Sequence, residues 1–172
     1  AAACSSYAHA VEVLHLGQGR SLVRKAFDTL EDMDAEVQGL SVLARAVCGS
    51  GGSVPRQLCA MDTDRLCLYY RNLGRSADQM VQLPLRTRVR CLQGACEQLR
   101  ALNAVGHLHN DVKPANIMWD GATTHLIDLG SLRPFEAVAD WDALDAAFRY
   151  TERYFPRHRV REGKYLTVRA EH

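Results

Sequence analysis

The sequence is poor in lysine, in aromatic residues and in net charge. Only three of its 21 basic residues are lysines, aromatic residues make up 7%, and the formal net charge is +1. A charge so close to neutral excludes a nucleic-acid-binding protein whose whole surface is basic. Arginine stands almost everywhere else, so the three lysines (Lys25, Lys113 and Lys164) are candidates for chemistry that needs a compact ammonium group.

Long apolar runs are also missing. The uncharged stretches 37–44 and 101–108 fall far short of the ~18 apolar residues that a membrane-spanning helix requires, so no membrane span is predicted. Hydrophobic residues make up 47% and charged residues 24%, which is the balance of a globular protein rather than a disordered or fibrous one. A length of 172 residues suits one domain or two small lobes.

The six cysteines form no C-x-x-C pair and no cysteine–histidine run with zinc-ligand spacing. A chain of this size can build a core without disulfides, so free thiols and an intracellular location are predicted, with no distinction between cytoplasm, nucleus and organelle interior. The first ten residues contain neither an initiator methionine nor the apolar region of a signal peptide. This beginning fits a processed or trimmed N-terminus.

The first 70 residues show the pattern of strands around one helix. Short apolar runs at 10–16 and 21–27 are separated by a glycine-containing break, and apolar positions at helical spacing predict an amphipathic helix over 29–47, capped by Asp28 or Thr29. After a glycine-rich loop at 48–55, two further strands are predicted at 57–61 and 65–70.

The pattern changes after residue 70, where a polar stretch at 71–78 contains Gly74 and predicts a hinge. A long helix follows to about residue 105, and its apolar positions mark one face: Leu85, Val89, Leu92, Cys96, Leu99 and Leu102. Two short strands at 117–120 and 125–128 flank an Asp-Gly turn. A last helix is predicted over 137–155 from the spacing of Trp141, Leu144 and Phe148, and residues 157–172 form a basic tail.

The most informative stretch is 107–130, HLHNDVKPANIMWDGATTHLIDLG. Its segment 109–116 resembles the H-x-D-x-K-x-x-N catalytic loop of the protein-kinase-like superfamily, and Asp128-Leu129-Gly130 resembles the D-F-G metal-binding motif that follows it. Five polar positions occur at the offsets of that pattern, and a predicted hairpin separates the two motifs. A set of capped turns is the alternative, because Asp and Asn often bond to local backbone in loops.

The resemblance implies a role for each of these residues in phosphoryl transfer. Asp111 would orient a substrate hydroxyl and accept its proton, and Lys113 would neutralise charge on the transferred group. Asn116 and Asp128 would supply hard oxygen ligands to Mg²⁺. Gly130 would allow a sharp backbone turn after the metal ligand.

The first half contains counterparts of the nucleotide-binding residues. The strand Ser21-Leu22-Val23-Arg24-Lys25 resembles V-A-I-K, so Lys25 would contact the α- and β-phosphates of ATP, and Glu36, with Glu31 as the alternative, would be its partner on the helix. Gly17 and Gly19 resemble a remnant of the glycine-rich phosphate loop. This loop departs from the family pattern because the third glycine is missing and only Arg20 precedes the lysine strand.

The chain also departs from ordinary protein kinases after Gly130, where only 42 residues follow. Residues 151–156 faintly resemble the end of an activation segment, whereas the alternative places Asp140 at the start of a helix that supports the catalytic loop. The second alternative implies a shortened core, similar in outline to RIO-type kinases and the small kinase of the KEOPS complex. The implied fold is α+β and two-lobed, with a small antiparallel-sheet N-lobe plus one helix at 1–70 and a reduced, mainly helical C-lobe at 71–156.

The resemblance implies an ATP- and Mg²⁺-dependent phosphotransferase that modifies a hydroxyl group, with Ser or Thr of a protein as the expected acceptor. A pseudokinase or scaffold subunit, and a kinase or ATPase acting on a small molecule, are the alternatives. The expected partners are a nucleotide and a protein substrate or assembly that covers the reduced C-lobe. Nucleic acid is expected only through the basic tail.

Overall fold

The computed structural model describes residues 8–49, 57–134, 160–161 and 164–165. These residues form an α+β structure with an N-terminal antiparallel sheet, two long helices and several short strand pairs. The strands of the first sheet are β1 (Ala8–Gly17), β2 (Arg20–Phe27), β3 (Leu58–Asp62) and β4 (Cys67–Arg71), in the spatial order β1-β2-β4-β3. Every predicted strand of residues 1–70 is confirmed, with its ends shifted by at most two residues.

Helix α1 (Leu30–Gly49) packs across this sheet. It begins where predicted, because Thr29 Oγ1 accepts a hydrogen bond from the backbone N–H of Asp32 at 3.1 Å and so caps the first turn. Met33 on its buried face lies against Phe27 and Leu68 of the sheet in a small apolar core. The buried face of α1 also carries a glutamate, Glu36, which an apolar core alone would not accommodate.

Helix α2 (Leu85–Ala104) forms the second core with the hairpin of β7 (Ile117–Trp119) and β8 (Thr124–Leu126). The hairpin turn at Asp120 and Gly121 is confirmed, with Asp120 Oδ1 accepting the backbone N–H groups of Ala122 and Thr123. A two-residue strand, β5 (Arg75–Ser76), pairs with β7. Strands β6 (His107–Leu108) and β9 (Arg133–Pro134) pair just beyond the end of α2.

The apolar face predicted for α2 is buried only in its last turns. Its buried residues are Cys91, Ala95, Gln98, Ala101 and Leu102, whereas Leu85, Val89 and Leu92 are exposed. Polar contacts select the buried face: Gln98 Nε2 donates to Thr124 O at 2.5 Å, and Thr124 Oγ1 donates to Cys91 O at 2.8 Å. Apolar periodicity misses such contacts because they place polar and small residues against the hairpin.

Several sequence-based predictions fall on residues outside the described ranges. These are the helix over 137–155 with its supporting Asp140, most of the loop at 48–55, and most of the tail at 157–172, of which only β10 (Val160–Arg161) and β11 (Lys164–Tyr165) are described. Within the described ranges, no helix combines the length and the apolar character needed to cross a membrane.

Candidate functional site

A cleft of about 320 Å³ lies between the N-terminal sheet and the loops on either side of the β7–β8 hairpin. Val11 and Val23 line it from the sheet, and Met118 and Ile127 line it from the hairpin and the residue that follows it. The polar side chains that line it include Lys25, Glu36, Gln57, Lys113, Asn116 and Asp128. The cleft is therefore apolar along part of its walls and strongly charged at one place.

The charged part is centred on Lys25 of β2. Its Nζ lies 3.1 Å from Glu36 Oε2 and 2.8 Å from Asp128 Oδ1. Burial alone lowers the pKa of Lys25, but the two carboxylates raise it by more, so the pKa lies above its ordinary value and the amine stays charged. Glu36, rather than the exposed Glu31, is thus the acid that the helix presents to Lys25.

Glu36 joins three parts of the chain. Besides Lys25, it accepts the backbone N–H of Gly130 at Oε2 (2.9 Å), and Tyr70 Oη lies 3.5 Å from its Oε1. A buried carboxylate needs such partners, because an unpaired one would be strongly destabilising. Glu36 therefore determines where the Asp128–Gly130 turn sits relative to β2 and α1.

The position of the sharp backbone turn after the Asp128 side chain differs from the prediction, which placed it at Gly130. The left-handed backbone conformation falls on Asp128 itself, with φ = 62°, whereas Gly130 lies within a 3-10 turn at Leu129–Ser131. Asp tolerates this conformation better than most residues because its short side chain can bond locally. The backbone reverses at Asp128, and Gly130 contributes a hydrogen bond through its N–H.

The loop at 109–116 brings a second charged group to the cleft. Lys113 Nζ lies 2.6 Å from Asp111 Oδ2, and Asn116 Nδ2 donates to the same oxygen at 3.0 Å and to the Asp111 backbone carbonyl at 2.9 Å. Lys113 and Asn116 both line the cleft together with Asp128. Lys113 and Asn116 thereby hold the Asp111 carboxyl group in one orientation at the side of the cleft.

His109 supports this loop from beneath. It is 3% exposed, its Nε2 lies 3.1 Å from the Ile127 carbonyl, and its Nδ1 accepts the backbone N–H of Asp111 at 3.4 Å. Burial lowers the pKa of His109 below its ordinary value, and Asp128 and Asp111 only partly oppose that effect. The contacts fit a neutral ring with its proton on Nε2. His109 is therefore a buried histidine that positions the 109–116 loop.

This burial predicts a pH dependence of stability. Below the ordinary histidine pKa of 6.5 the unfolded chain binds a proton at His109 that the native protein refuses, so the free energy of unfolding should decrease as the pH falls through this range. Urea unfolding at about pH 8 and about pH 5.5 measures the slope. His109→Gln should remove part of it, whereas the exposed His15→Gln should leave it unchanged; equal slopes for both variants would contradict the prediction.

The sequence patterns did not indicate two contacts that join the loop to the Asp128 turn. Ser131 Oγ donates to the His109 carbonyl at 2.7 Å, and Asn110 Nδ2 donates to the Ser131 carbonyl at 3.1 Å. Asn110 has φ = 65°, a conformation that asparagine accepts more readily than most residues. Together these bonds fix the spacing between the segments that carry Asp111 and Asp128.

Gln57 was also not predicted. It is buried and lines the cleft. Its side-chain Nε2 donates to the Leu126 carbonyl at 3.1 Å, and its backbone carbonyl accepts the Arg71 N–H at 2.8 Å. It therefore links the N-terminal sheet directly to β8. The only sequence signal was a polar residue at the start of a predicted strand, which is too common to single out one position.

The structure does not bring Gly17 and Gly19 to the charged end of the cleft. They form the β1–β2 turn, with φ values of 81° and 70°. Gly19 lines a separate groove together with Asn72, Gly74 and Asp120. Lys25 lies six residues further along β2 than Gly19, which corresponds to about 20 Å along an extended strand. Neither glycine is among the residues that line the cleft, so a phosphate-binding role for this turn stays a prediction.

Asn116 and Asp128 have the chemistry expected of a magnesium site. Both line the cleft, and because Asn116 directs its Nδ2 to Asp111, its Oδ1 is the atom left for a cation. Mg²⁺ binds through one or two protein oxygens plus phosphate oxygens and water, so this donor set fits it. In the described part of the chain there is no cluster of three or more His, Cys, Asp or Glu side chains that would form an all-protein metal cage.

Comparison with known proteins returned no match, either to a protein-family model or to a curated protein. The function of the cleft therefore has to be inferred from its own residues and their chemistry.

Proposed function

We propose that this chain is a small protein-kinase-like phosphotransferase that transfers the γ-phosphoryl group of ATP, in the presence of Mg²⁺, to a hydroxyl group of a serine or threonine. The observation that carries the proposal is the meeting of two charged groups at one cleft: Lys25 with Glu36 and Asp128, and Asp111 with Lys113 and Asn116. These residues come from distant segments of the chain: Lys25 and Asp128, for example, are 103 positions apart in the sequence.

In this proposal the molecule has two lobes. The first is the β1–β4 sheet with α1, and the second contains α2 and the β7–β8 hairpin. The chain passes between them after β4, where Asn72 Nδ2 donates to Ser21 Oγ at 2.8 Å and Asn72 Oδ1 accepts the Gly74 N–H at 3.0 Å. The cleft between the two units is the natural place for a nucleotide.

The apolar walls suit the base of the nucleotide, and Lys25 suits its phosphates. Val11, Val23, Leu73 and Met118 offer flat apolar contact to an aromatic ring. Lys25 is held by two carboxylates, so a phosphate anion would replace Asp128 as one of its partners without leaving the ammonium unpaired. Asp128 would then turn its oxygens to the cation. A bound Mg²⁺ would supply positive charge to the phosphate oxygens.

Asp111 suits the acceptor side of the reaction. A carboxylate that is paired with Lys113 and oriented by Asn116 can accept a hydrogen bond from an incoming hydroxyl and take its proton as the bond to phosphorus forms. Lys113 lies beside it and would stabilise negative charge on the transferred phosphoryl group. Two hydrogen bonds of Ser131 connect loop 109–116 to the Asp128 turn. The positions of the loop and the turn relative to each other are therefore fixed without any covalently modified side chain.

A pseudokinase or scaffold role is the second candidate, and one observation favours it. Gly17 and Gly19, which resemble a phosphate-binding loop, are not among the residues that line the cleft. A protein of this kind would retain the ion pairs for folding and bind nucleotide weakly.

Nucleotide binding separates the two candidates. ATP with Mg²⁺ should raise the melting temperature of the chain, because a ligand that binds only the native state stabilises it by mass action. Lys25→Met and Asp128→Asn should each abolish this shift. Arg20→Gln, at the β1–β2 turn, should leave it unchanged, since that turn lies about 20 Å from Lys25 along the strand.

The control for fold integrity is the far-ultraviolet circular dichroism of each variant without ligand. A native chain that shows no shift at millimolar ATP and Mg²⁺ would rule out the enzyme and support the scaffold. If Arg20→Gln removes the ATP-dependent shift in melting temperature, the glycine turn does take part in phosphate binding.

A further inference from the structure

Four hydrogen bonds determine how the chain enters Asp128. The two residues before it, Leu126 and Ile127, have all four of their backbone N–H and C=O groups bonded, at N···O distances of 3.0–3.1 Å. In chain order the partners of these four groups are Gln98, Gln57, Asn116 and His109. A backbone that is held at every polar group cannot shift without breaking one of these bonds.

Gln57 is the partner that comes from the N-terminal sheet. The other three lie within residues 98–116, so they fix β8 relative to the helix and the loop beside it. Gln57 directly precedes β3, and its backbone carbonyl accepts the Arg71 N–H of β4 at 2.8 Å. Because Gln57 is only 2% exposed, water does not compete for its bond to Leu126. A neutral hydrogen bond thus links the position of the sheet to the position of β8.

Two further contacts join the N-terminal half to the Asp128 turn, and both involve the charges of the cleft. Lys25 Nζ lies 2.8 Å from Asp128 Oδ1. Glu36 Oε2 accepts the Gly130 N–H at 2.9 Å and lies 3.1 Å from Lys25 Nζ. In the proposed function a phosphate replaces Asp128 at Lys25, so the first contact is lost on nucleotide binding, and the second shares its oxygen with Lys25. The Gln57 bond does not depend on that exchange, since it involves no charged group.

We propose that Gln57 is a positioning residue for phosphoryl transfer, which holds Asp128 in place relative to Lys25 after the nucleotide has separated these two side chains. This role rests on the proposed function, since transfer requires phosphate at Lys25 and a cation at Asp128 at the same time. Gln57 acts through the Leu126 carbonyl, two residues before Asp128. A displacement of about 1 Å between groups that position a reaction can lower its rate by about 10²-fold.

Replacing Gln57 by methionine removes the hydrogen-bond donor and keeps a side chain of similar length. Turnover at saturating ATP and Mg²⁺ should fall by about ten-fold or more, because Lys25 and Asp128 lose their fixed spacing. The KM for ATP should change by less than about three-fold, because both side chains are still present to bind it. Single-turnover transfer and the dependence of its rate on ATP concentration measure these two quantities.

Gln98→Met is the matched control, since Gln98 is also buried and also bonded to β8. It donates to the Thr124 carbonyl at 2.5 Å and accepts the Leu126 N–H at 3.1 Å, but it belongs to α2. Gln98→Met should lower the melting temperature at least as much as Gln57→Met and leave turnover within about two-fold of the native value. If it loses as much turnover as Gln57→Met, Gln57 only stabilises β8 and the proposal is wrong.

Gln57→Glu distinguishes the donated hydrogen bond from the shape of the side chain. Glutamate has the shape of glutamine, but only its protonated form can donate to the Leu126 carbonyl. Burial raises the pKa of such a carboxyl group, so the turnover of Gln57→Glu relative to the native chain should rise as the pH falls from about 9 to about 6. Gln57→Met should keep a constant ratio to the native chain. Equal pH profiles for the two variants would contradict the proposal.

A measurement without nucleotide distinguishes a failure of this role from a failure of the proposed function. The melting temperatures of Lys25→Met, Gln57→Met and the double variant are compared in the absence of ligand. Because the two side chains together hold the Asp128 turn against the sheet, the double variant should lose more than the sum of the single losses. Lys25→Met combined with Gln98→Met should show additive losses.

The two failures then look different. A native chain that transfers no phosphate contradicts the proposed function, and the positioning role is rejected with it even where Lys25 and Gln57 are coupled. Additive losses for Lys25→Met and Gln57→Met overturn the positioning role by themselves, even in a chain that transfers phosphate.

Discussion

Replacing Asp111 by asparagine should lower the rate of phosphoryl transfer by about 10²- to 10⁴-fold, the range in which a general base contributes. Asparagine keeps the size and one acceptor oxygen of Asp111 but cannot take a proton. The Asn116 contact to the backbone carbonyl of residue 111 does not depend on the side chain, so the loop should keep its shape. The loss should therefore appear in turnover at saturating ATP and leave nucleotide binding unchanged.

Single-turnover transfer from labelled ATP to a serine- or threonine-containing protein substrate measures the loss of turnover. The ATP-dependent shift in melting temperature measures nucleotide binding. Asp34→Asn is the matched control, since it makes the same chemical change at an exposed position on α1. If the Asp111→Asn variant turns over at the native rate, Asp111 takes no part in the chemical step. Equal losses in both variants would point to a general charge effect instead.

Replacing Gly39 by alanine should destabilise the protein by about 1–3 kcal/mol, the usual cost of overpacking. A Cβ at this position would lie 2.7 Å from Leu129 Cβ and would also clash with the Leu129 carbonyl oxygen. Leu129 is fully buried and adjoins Asp128, so neither partner can move without opening the contact between α1 and the Asp128 turn. The clash should outweigh the ~1 kcal/mol by which alanine favours a helix interior over glycine.

The same helix offers the control. At Gly49, the last residue of α1, nothing lies within 4 Å of an added Cβ, so Gly49→Ala should be neutral or stabilising by up to about 0.5 kcal/mol. Urea unfolding compares the two variants. If Gly39→Ala is as stable as Gly49→Ala, the close approach of α1 to the Asp128 turn is not a feature of the native state.

The local features of this protein were readable from its sequence because each depends on neighbours along the chain. Threonine before an acidic turn starts α1, and alternating apolar runs around a glycine break form the β1–β2 hairpin. The Asp120-Gly121 turn likewise follows from two adjacent residues. The resemblance of 109–116 to a catalytic loop singles out Asp111, Lys113 and Asn116, and the structure brings these three side chains together.

Contacts between distant segments were only partly readable. The sequence predicts Glu36, with Glu31 as the alternative, as the partner of Lys25, and the structure confirms Glu36, which α1 buries against the sheet. The glycines of the β1–β2 turn resemble a phosphate loop in composition, but Gly19 lines a separate groove with Asn72 and Gly74 rather than the cleft that contains Lys25. Gln57, Asn110 and Ser131 make their contacts through backbone carbonyls, which any polar residue can reach in the right fold.

Within the described residues of the first half, the sequence by itself determined the strands and the helix, with their ends to within two residues, and it supplied the residue types that the proposed phosphate site requires. Only the tertiary structure decided which face of α2 is buried, that Gln57 joins the first sheet to β8, and that the backbone reverses at Asp128 rather than Gly130. The physical reason is the separation along the sequence over which each interaction acts. Capping, turn chemistry and periodicity act over a few residues, whereas a buried charge takes its partner from whatever segment the packed fold brings within about 3 Å.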